Sequence, residues 1–153
     1  MCSSDLEVMR KLAEGKAEFI SRGDKSGTHL REVALWKSAG IDPVPASGTW
    51  YLEAGGGMGK TLNLAIGKNA YCMTDSSTWL AFKNRGDHEV LFDRDPRIYN
   101  HYAVIVVAKQ RHTHAKQKMA QQFADWLVSP EGQAAIAAYQ IGDKQAFIPN
   151  ATK

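Results

Sequence analysis

The residues whose types and spacing best suggest chemistry are Ser21-Arg22-Gly23-Asp24-Lys25-Ser26-Gly27-Thr28-His29, which lie where an alternating segment ends and a helical pattern begins. Open α/β sheets bind ligands at such strand-to-helix junctions. The first amides of a helix have no intrahelical acceptor, and the helix dipole adds partial positive charge beside them; an oxyanion satisfies both. Gly27 lets such an ion approach the backbone, the Ser26 and Thr28 hydroxyls can donate to further oxygens, and Arg22 adds a charged fork. A fully deprotonated tetrahedral dianion presents only acceptors, so its site must consist almost wholly of donors, and this segment is rich in them. At about 4 Å and an effective dielectric of about 20, a unit charge on Arg22 is worth roughly 4 kcal/mol against another. The same residues also fit an ordinary Ser-Gly-Thr helix cap beside a surface arginine.

Other constellations point elsewhere. Ala54-Gly55-Gly56-Gly57-Met58-Gly59-Lys60-Thr61 satisfies a relaxed phosphate-loop pattern, which makes Gly59, Lys60 and Thr61 the residues of a nucleotide-binding alternative. That chemistry also needs a buried apolar strand before the loop and an acidic magnesium partner on another strand. Thr49-Trp50-Tyr51-Leu52 is a poor version of the first, and Asp75 is the only passable candidate for the second. The histidines His29, His88, His101, His112 and His114 include one close pair, but His112-x-His114 has no carboxylate or cysteine at ligand spacing, so no metal is expected. No base singles out one serine as a nucleophile. Binding without catalysis and without a cofactor is therefore expected.

The elements that must position these residues follow from periodicity. Val8, Leu12 and Ala13 form a helical stripe ending near Gly15, and Glu18-Phe19-Ile20-Ser21 alternates as a strand. A second helix is predicted through Leu30, Val33, Ala34 and Trp36, and Gly40 closes it. After a strand at residues 49–52, Met58, Leu62, Ala65 and Ile66 mark a third helix, and residues 70–73 another strand. Asp75 and the hydroxyls after it offer caps for a short helix. Residues 89–92 read as a strand and residues 101–108 as the most pronounced strand of the chain. Met119, Phe123, Trp126 and Leu127 mark one late helix, and Ser129-Pro130 opens the last. Trp36, Trp50, Trp79 and Trp126 all fall on such elements, which predicts core packing. Alternating strands and helices imply an α/β fold with one mainly parallel or mixed sheet flanked by helices.

A length of 153 residues suits a single domain. The chain is 44% hydrophobic and 23% charged with a net charge of +3, and its Lys and Arg residues are interleaved with acids, so no basic stripe for nucleic acid forms. No apolar run approaches the roughly 18 residues that direct membrane insertion needs, and residues 1–6 carry no export signal. Cys2 near the terminus and Cys72 in a strand are expected to remain free thiols.

The anion segment, followed by Leu35-Trp36-Lys37, resembles the tungstate-binding proteins of ABC importers. Trp50-Tyr51, Gly57-Met58-Gly59 with Thr61-Leu62, Ala70-Tyr71 with Thr74-Asp75 and Thr78, Asn100 with Tyr102, Asp125-Trp126-Leu127 and Glu131-Gly132-Gln133 look like that family in order and spacing. The resemblance implies one lobe of a type II periplasmic binding protein, which closes over tungstate, or related molybdate, and presents it to an ABC permease in the periplasm or at the cell surface. Arg22, Ser26, Gly27 and Thr28 match the family's second-lobe anion motif. Residues 8–150 are expected to form the lobe and residues 1–7 a disordered, non-family extension. The family's amino-terminal lobe has no counterpart in this sequence, so a truncated or excised piece of a longer protein is expected. Arg22-x-Asp24-x-Ser26-Gly27-Thr28 also resembles the motif of periplasmic phosphate-binding proteins, in which the carboxylate accepts a phosphate proton; with tungstate, Asp24 must instead orient Arg22 or face away.

Overall fold

Short parallel strands need a crossover helix between each pair, and residues 19–72 supply two of them. The computed structural model describes residues 5–93 and 95–151, and the chain divides into two compact units at the Asn100–His101 bond. A single domain is the expectation from length.

In the first unit, α1 (Asp5–Glu14) leads to β1 (Phe19–Ser21), α2 (Gly27–Ser38), β2 (Tyr51–Glu53), α3 (Met58–Lys68), β3 (Tyr71–Cys72) and α4 (Ser76–Ala81). The strands form a parallel sheet in the order β2-β1-β3, with Phe19 opposite both Tyr51 and Tyr71. The central strand alternates strictly. Phe19 packs edge-on against Trp36 of α2 at 5.3 Å, within a buried cluster that also takes Met9, Leu12, Leu35 and Tyr51. Ile20 turns to the other face, where Ala54, Ala65 and Ala70 pack under α3. Burying one large apolar side chain is worth about 1.5–3 kcal/mol, so these two clusters hold the helices against the sheet.

The buried stripe of α2 differs from the predicted one. It runs Thr28, Glu32, Leu35 and Trp36, whereas Leu30 and Val33 are exposed. The spacing is helical, but a hydroxyl and a carboxylate occupy its amino-terminal half, so an apolar pattern misplaces the face. Helix α3 buries Met58, Leu62 and Ala65 as predicted and ends on Asn69 at φ 54°. Residues 5–7, expected to be disordered, belong to α1, and Leu6 packs against the core; the remainder of that predicted extension, with Cys2, lies outside the described residues. Cys72 is a free, half-buried thiol. Residues 89–92 pair with no strand among the described residues, and Val90 and Leu91 are exposed.

The second unit contains α5 (Gln117–Leu127), α6 (Pro130–Ala138) and an antiparallel hairpin of β4 (Gln140–Ile141) and β5 (Lys144–Gln145). Ser129 caps α6 through the Gly132 amide at 3.2 Å, and Gly132 sits so close to the Trp126 carbonyl that no side chain fits there. Residues 101–108 are not a strand here. No described strand pairs with them, and Tyr102, Val104, Ile105 and Val107 are exposed. A strand exists only where a neighbour takes its backbone groups; the apolar pattern records a tendency that this unit does not fulfil. Met119, Phe123 and Trp126 are exposed too, so Trp126 is not the core residue its position on a helix suggested, and only Ala124 and Gly132 are buried among the unit's described residues.

The difference is measurable by amide hydrogen exchange. The amides of Ile20 and Leu52, laddered in the sheet, should be the slowest class, while those of residues 102–107 should exchange near free-chain rates. Strong protection of residues 102–107 would contradict the unpaired state.

Candidate functional site

The parallel strands place their carboxyl ends, and therefore the turns after β1 and β2, on one edge of the sheet. The two turns touch: the Gly56 amide donates to the Arg22 carbonyl at 3.2 Å, and a Cβ on Gly23 would sit 3.0 Å from that of Glu53. Gly23 (φ 62°) and Lys25 (φ 59°) both adopt left-handed backbone, which folds the β1–α2 turn tightly over itself.

Four amides between Gly23 and His29 have a partner within the turn. Gly23 N–H donates to Ser21 Oγ at 3.2 Å, Lys25 N–H to His29 Nδ1 at 2.8 Å, Ser26 N–H to Asp24 Oδ1 at 3.1 Å, and His29 N–H to Ser26 Oγ at 3.3 Å. The Leu30 amide begins the helical ladder on the Ser26 carbonyl. Among the described residues, the Gly27 and Thr28 amides and the Thr28 hydroxyl have no protein partner. Ser26 accepts the capping bond, so its own proton is still available to donate outward. The turn therefore combines an ordinary cap with two open amides at the positive end of a twelve-residue helix.

Arg22 and Asp24 are drawn together. Arg22 Nε and Nη2 both donate to Asp24 Oδ2, at 3.1 and 2.5 Å, while Oδ1 takes the Ser26 amide. Burial works to raise the Asp24 carboxyl, but the hydrogen bonds from Ser26 and Arg22 and the guanidinium charge outweigh it and hold the pKa at about 2. Asp24 thus orients Arg22 and locks the turn to the cap. The remaining guanidinium N–H groups have no protein acceptor among the described residues.

Gly27 has a different reason to be glycine than the close approach of an ion. A Cβ there would lie 2.9 Å from Oδ1 and 3.2 Å from Nδ2 of Asn100. Sequence reasoning gives Asn100 no role of its own; its amide rests on the first turn of α2, a contact across 73 positions that no local pattern carries. His29, by sequence only one of five metal candidates, has a structural part. Its Nδ1 accepts a backbone N–H, so that nitrogen carries a lone pair and the proton of the neutral ring sits on Nε2.

The nucleotide-binding residues Gly59, Lys60 and Thr61 do follow a strand and turn, but Asp75 is committed elsewhere. Its two oxygens take the Thr78 amide and the Ser77 and Thr78 hydroxyls, capping α4. Among the described residues no group of three His, Cys, Asp or Glu side chains could hold a metal ion, and no helix is long and apolar enough to cross a membrane.

A family profile described as "PBP superfamily domain" matches residues 4–131. The "Tungstate-binding protein TupA" of Peptoclostridium acidaminophilum is 37% identical over 95% of this chain, which covers 51% of that protein. The crystal structure described as that of the tungstate ABC transporter from Geobacter sulfurreducens superposes with a TM-score of 0.80 at 41% identity, over 90% of this chain and 57% of that one. The tungstate-binding protein TupA from Desulfovibrio alaskensis G20 superposes with a TM-score of 0.77 at 34% identity, over 97% and 61%. The chain spans about half the length of the curated relative it matches.

The Arg22–Asp24 pair gives an acid signature. Asp24 titrates near 2 in the fold against 3.8 for an ordinary aspartate. Its stabilisation is present in full above the ordinary value and is lost as pH falls through the folded one. The melting-temperature gap between the wild type and Asp24→Asn should be constant from neutral pH to about pH 5 and close between about pH 4 and pH 2. A gap that persists at pH 2 would contradict the assignment.

Proposed function

The chain belongs to the PBP superfamily, and on that premise we propose that the turn between β1 and α2 binds a tetrahedral oxyanion, tungstate foremost and molybdate with it, for delivery to an ABC permease. The observation that carries this reading is the pair of open amides at Gly27 and Thr28, flanked by the Ser26 and Thr28 hydroxyls and by a guanidinium that Asp24 holds in place. Each of these groups donates. An ion with four acceptor oxygens and no proton at neutral pH is the natural complement.

Before a ligand arrives, Arg22 and Asp24 together are close to neutral, so attraction to the ion comes largely from oriented N–H and O–H dipoles. These need no reorganisation when the ion binds, because the cap, Asp24 and His29 already fix the turn. The same arrangement bears on the phosphate alternative. Asp24 would have to accept the phosphate proton; Oδ2 already takes two bonds from Arg22, so Oδ1, which takes the Ser26 amide, is the oxygen with a lone pair left for it. The nucleotide alternative lacks its metal carboxylate, because Asp75 caps a helix.

In this reading the protein works as a binding protein of a transporter, in the periplasm or at the cell surface, and the relatives it resembles are named for such a role. The chain covers 51% of the length of its curated relative, and in this reading a further lobe of that size would supply opposing donors and exclude water.

Calorimetry with tungstate, molybdate, sulfate, phosphate and ATP tests the assignment. Tungstate and molybdate should bind and the others bind far more weakly. Arg22→Ala should weaken tungstate by about tenfold or more, the loss of a charge-assisted donor. Arg22→Lys keeps the charge and loses the fork, so it should fall between. Asp24→Asn should cost less than Arg22→Ala, because removing a negative charge near the ion offsets looser positioning of Arg22. Phosphate binding tighter than tungstate, and abolished by Asp24→Asn, would transfer the assignment to the phosphate class.

A further inference from the structure

Glu32 is a carboxylate on a helix, 2% exposed, in the middle of an aromatic cluster. An unpaired charge in such a place is costly, so its partners show what it is for. Ser21 Oγ donates to Oε2 at 2.8 Å, and Tyr51 OH and Trp36 Nε1 donate to Oε1 at 2.8 and 3.2 Å. One side chain of α2 thereby ties together the end of β1, the start of β2 and its own helix one turn on. Burial pushes the Glu32 carboxyl above the ordinary range, while the three donors pull against it.

The bond to Ser21 reaches the anion turn. A serine hydroxyl has one proton and two lone pairs. With its proton committed to Glu32, Ser21 Oγ presents a lone pair, and the Gly23 amide donates to it at 3.2 Å. Gly23 is the left-handed residue between Arg22 and Asp24, so its amide plane sets the direction in which both side chains leave the backbone. We propose that Glu32 is a positioning residue for the oxyanion site, acting through Ser21 to fix the Gly23 amide and hence the Arg22–Asp24 pair. The inference rests on the anion-binding reading of the same turn.

Glu32→Gln is the direct variant: its amide donates towards Ser21 where the carboxylate accepted, so the hydroxyl loses the acceptor that orients it. Ser21→Ala is the second, because it cuts the relay while leaving Glu32 bonded to Tyr51 and Trp36. Two readouts are taken on the full chain. The first, without ligand, is exchange and chemical shift of the Gly23 amide in nitrogen-15-labelled protein. The second is affinity for sodium tungstate. Both variants should speed Gly23 exchange by about tenfold or more, as expected for loss of one hydrogen bond to a polar side chain, and weaken tungstate by a similar factor. The double variant should be little worse than either single one, as for residues acting in series.

A role confined to core stability would give a different result. Glu32→Gln would lower the melting temperature while Gly23 exchange and tungstate affinity stayed at their wild-type values, and its effect would add to that of Ser21→Ala. That outcome overturns the proposal. Should the wild type fail to bind tungstate, the anion reading fails, while Gly23 exchange still decides whether Glu32 governs the turn. If Glu32→Gln does not fold, Glu32→Asp, which keeps the charge but shortens the reach to Ser21, decides the matter through the same two readouts.

Discussion

A buried carboxylate that must be satisfied organises the first unit. Glu32 sits where an apolar residue would normally lie, and the only way to keep it there is to surround it with donors. Ser21, Trp36 and Tyr51 fill that role, and each comes from a different element of the sheet-and-helix sandwich. The consequence is geometric. Three short strands of two or three residues have little ladder to define their register, and polar bonds of fixed direction add the definition that packing lacks. The aromatic rings of Phe19, Trp36 and Tyr51, with centroids 5.3–6.3 Å apart, close over the same group and keep water from it.

Above that anchor the turn from β1 to α2 is held by hydrogen bonds of its own. Asp24, Ser26 and His29 each accept one backbone amide, and the two left-handed residues make those reaches short. What remains open is open by construction, since the first two amides of a capped helix have no further acceptor along the chain. The rigidity of the turn and the openness of those amides have one origin: a cap that satisfies the third amide commits the chain to the geometry in which the first two point outward.

Much of this is legible in sequence and some is not, for reasons that differ by residue. Ser26 as a cap, Gly40 as a helix stop and the Met58-Leu62-Ala65 face of α3 are local, so their signals lie within a few positions of their effects. Arg22 and Asp24 are two apart, so their pairing lies within reach of the local sequence. Glu32 escapes because hydrophobic periodicity discards charged residues, although Thr28, Glu32, Leu35 and Trp36 have the spacing of a buried stripe. Asn100 escapes because its contact with Gly27 spans most of the unit. Residues 101–108 fail in the opposite sense. Their pattern is that of a strand buried on both faces, and no pattern within eight residues can say whether neighbours exist to pair with it.

That segment has a practical corollary. From Tyr102 through Ala108 the chain is Tyr-Ala-Val-Ile-Val-Val-Ala, with no charge, proline or glycine, and its larger side chains face solvent. Those are the compositional conditions for cross-β stacking between identical chains, in which each copy supplies the backbone partner that the next one lacks. A charged side chain at Ile105 would interrupt that composition and act as a gatekeeper.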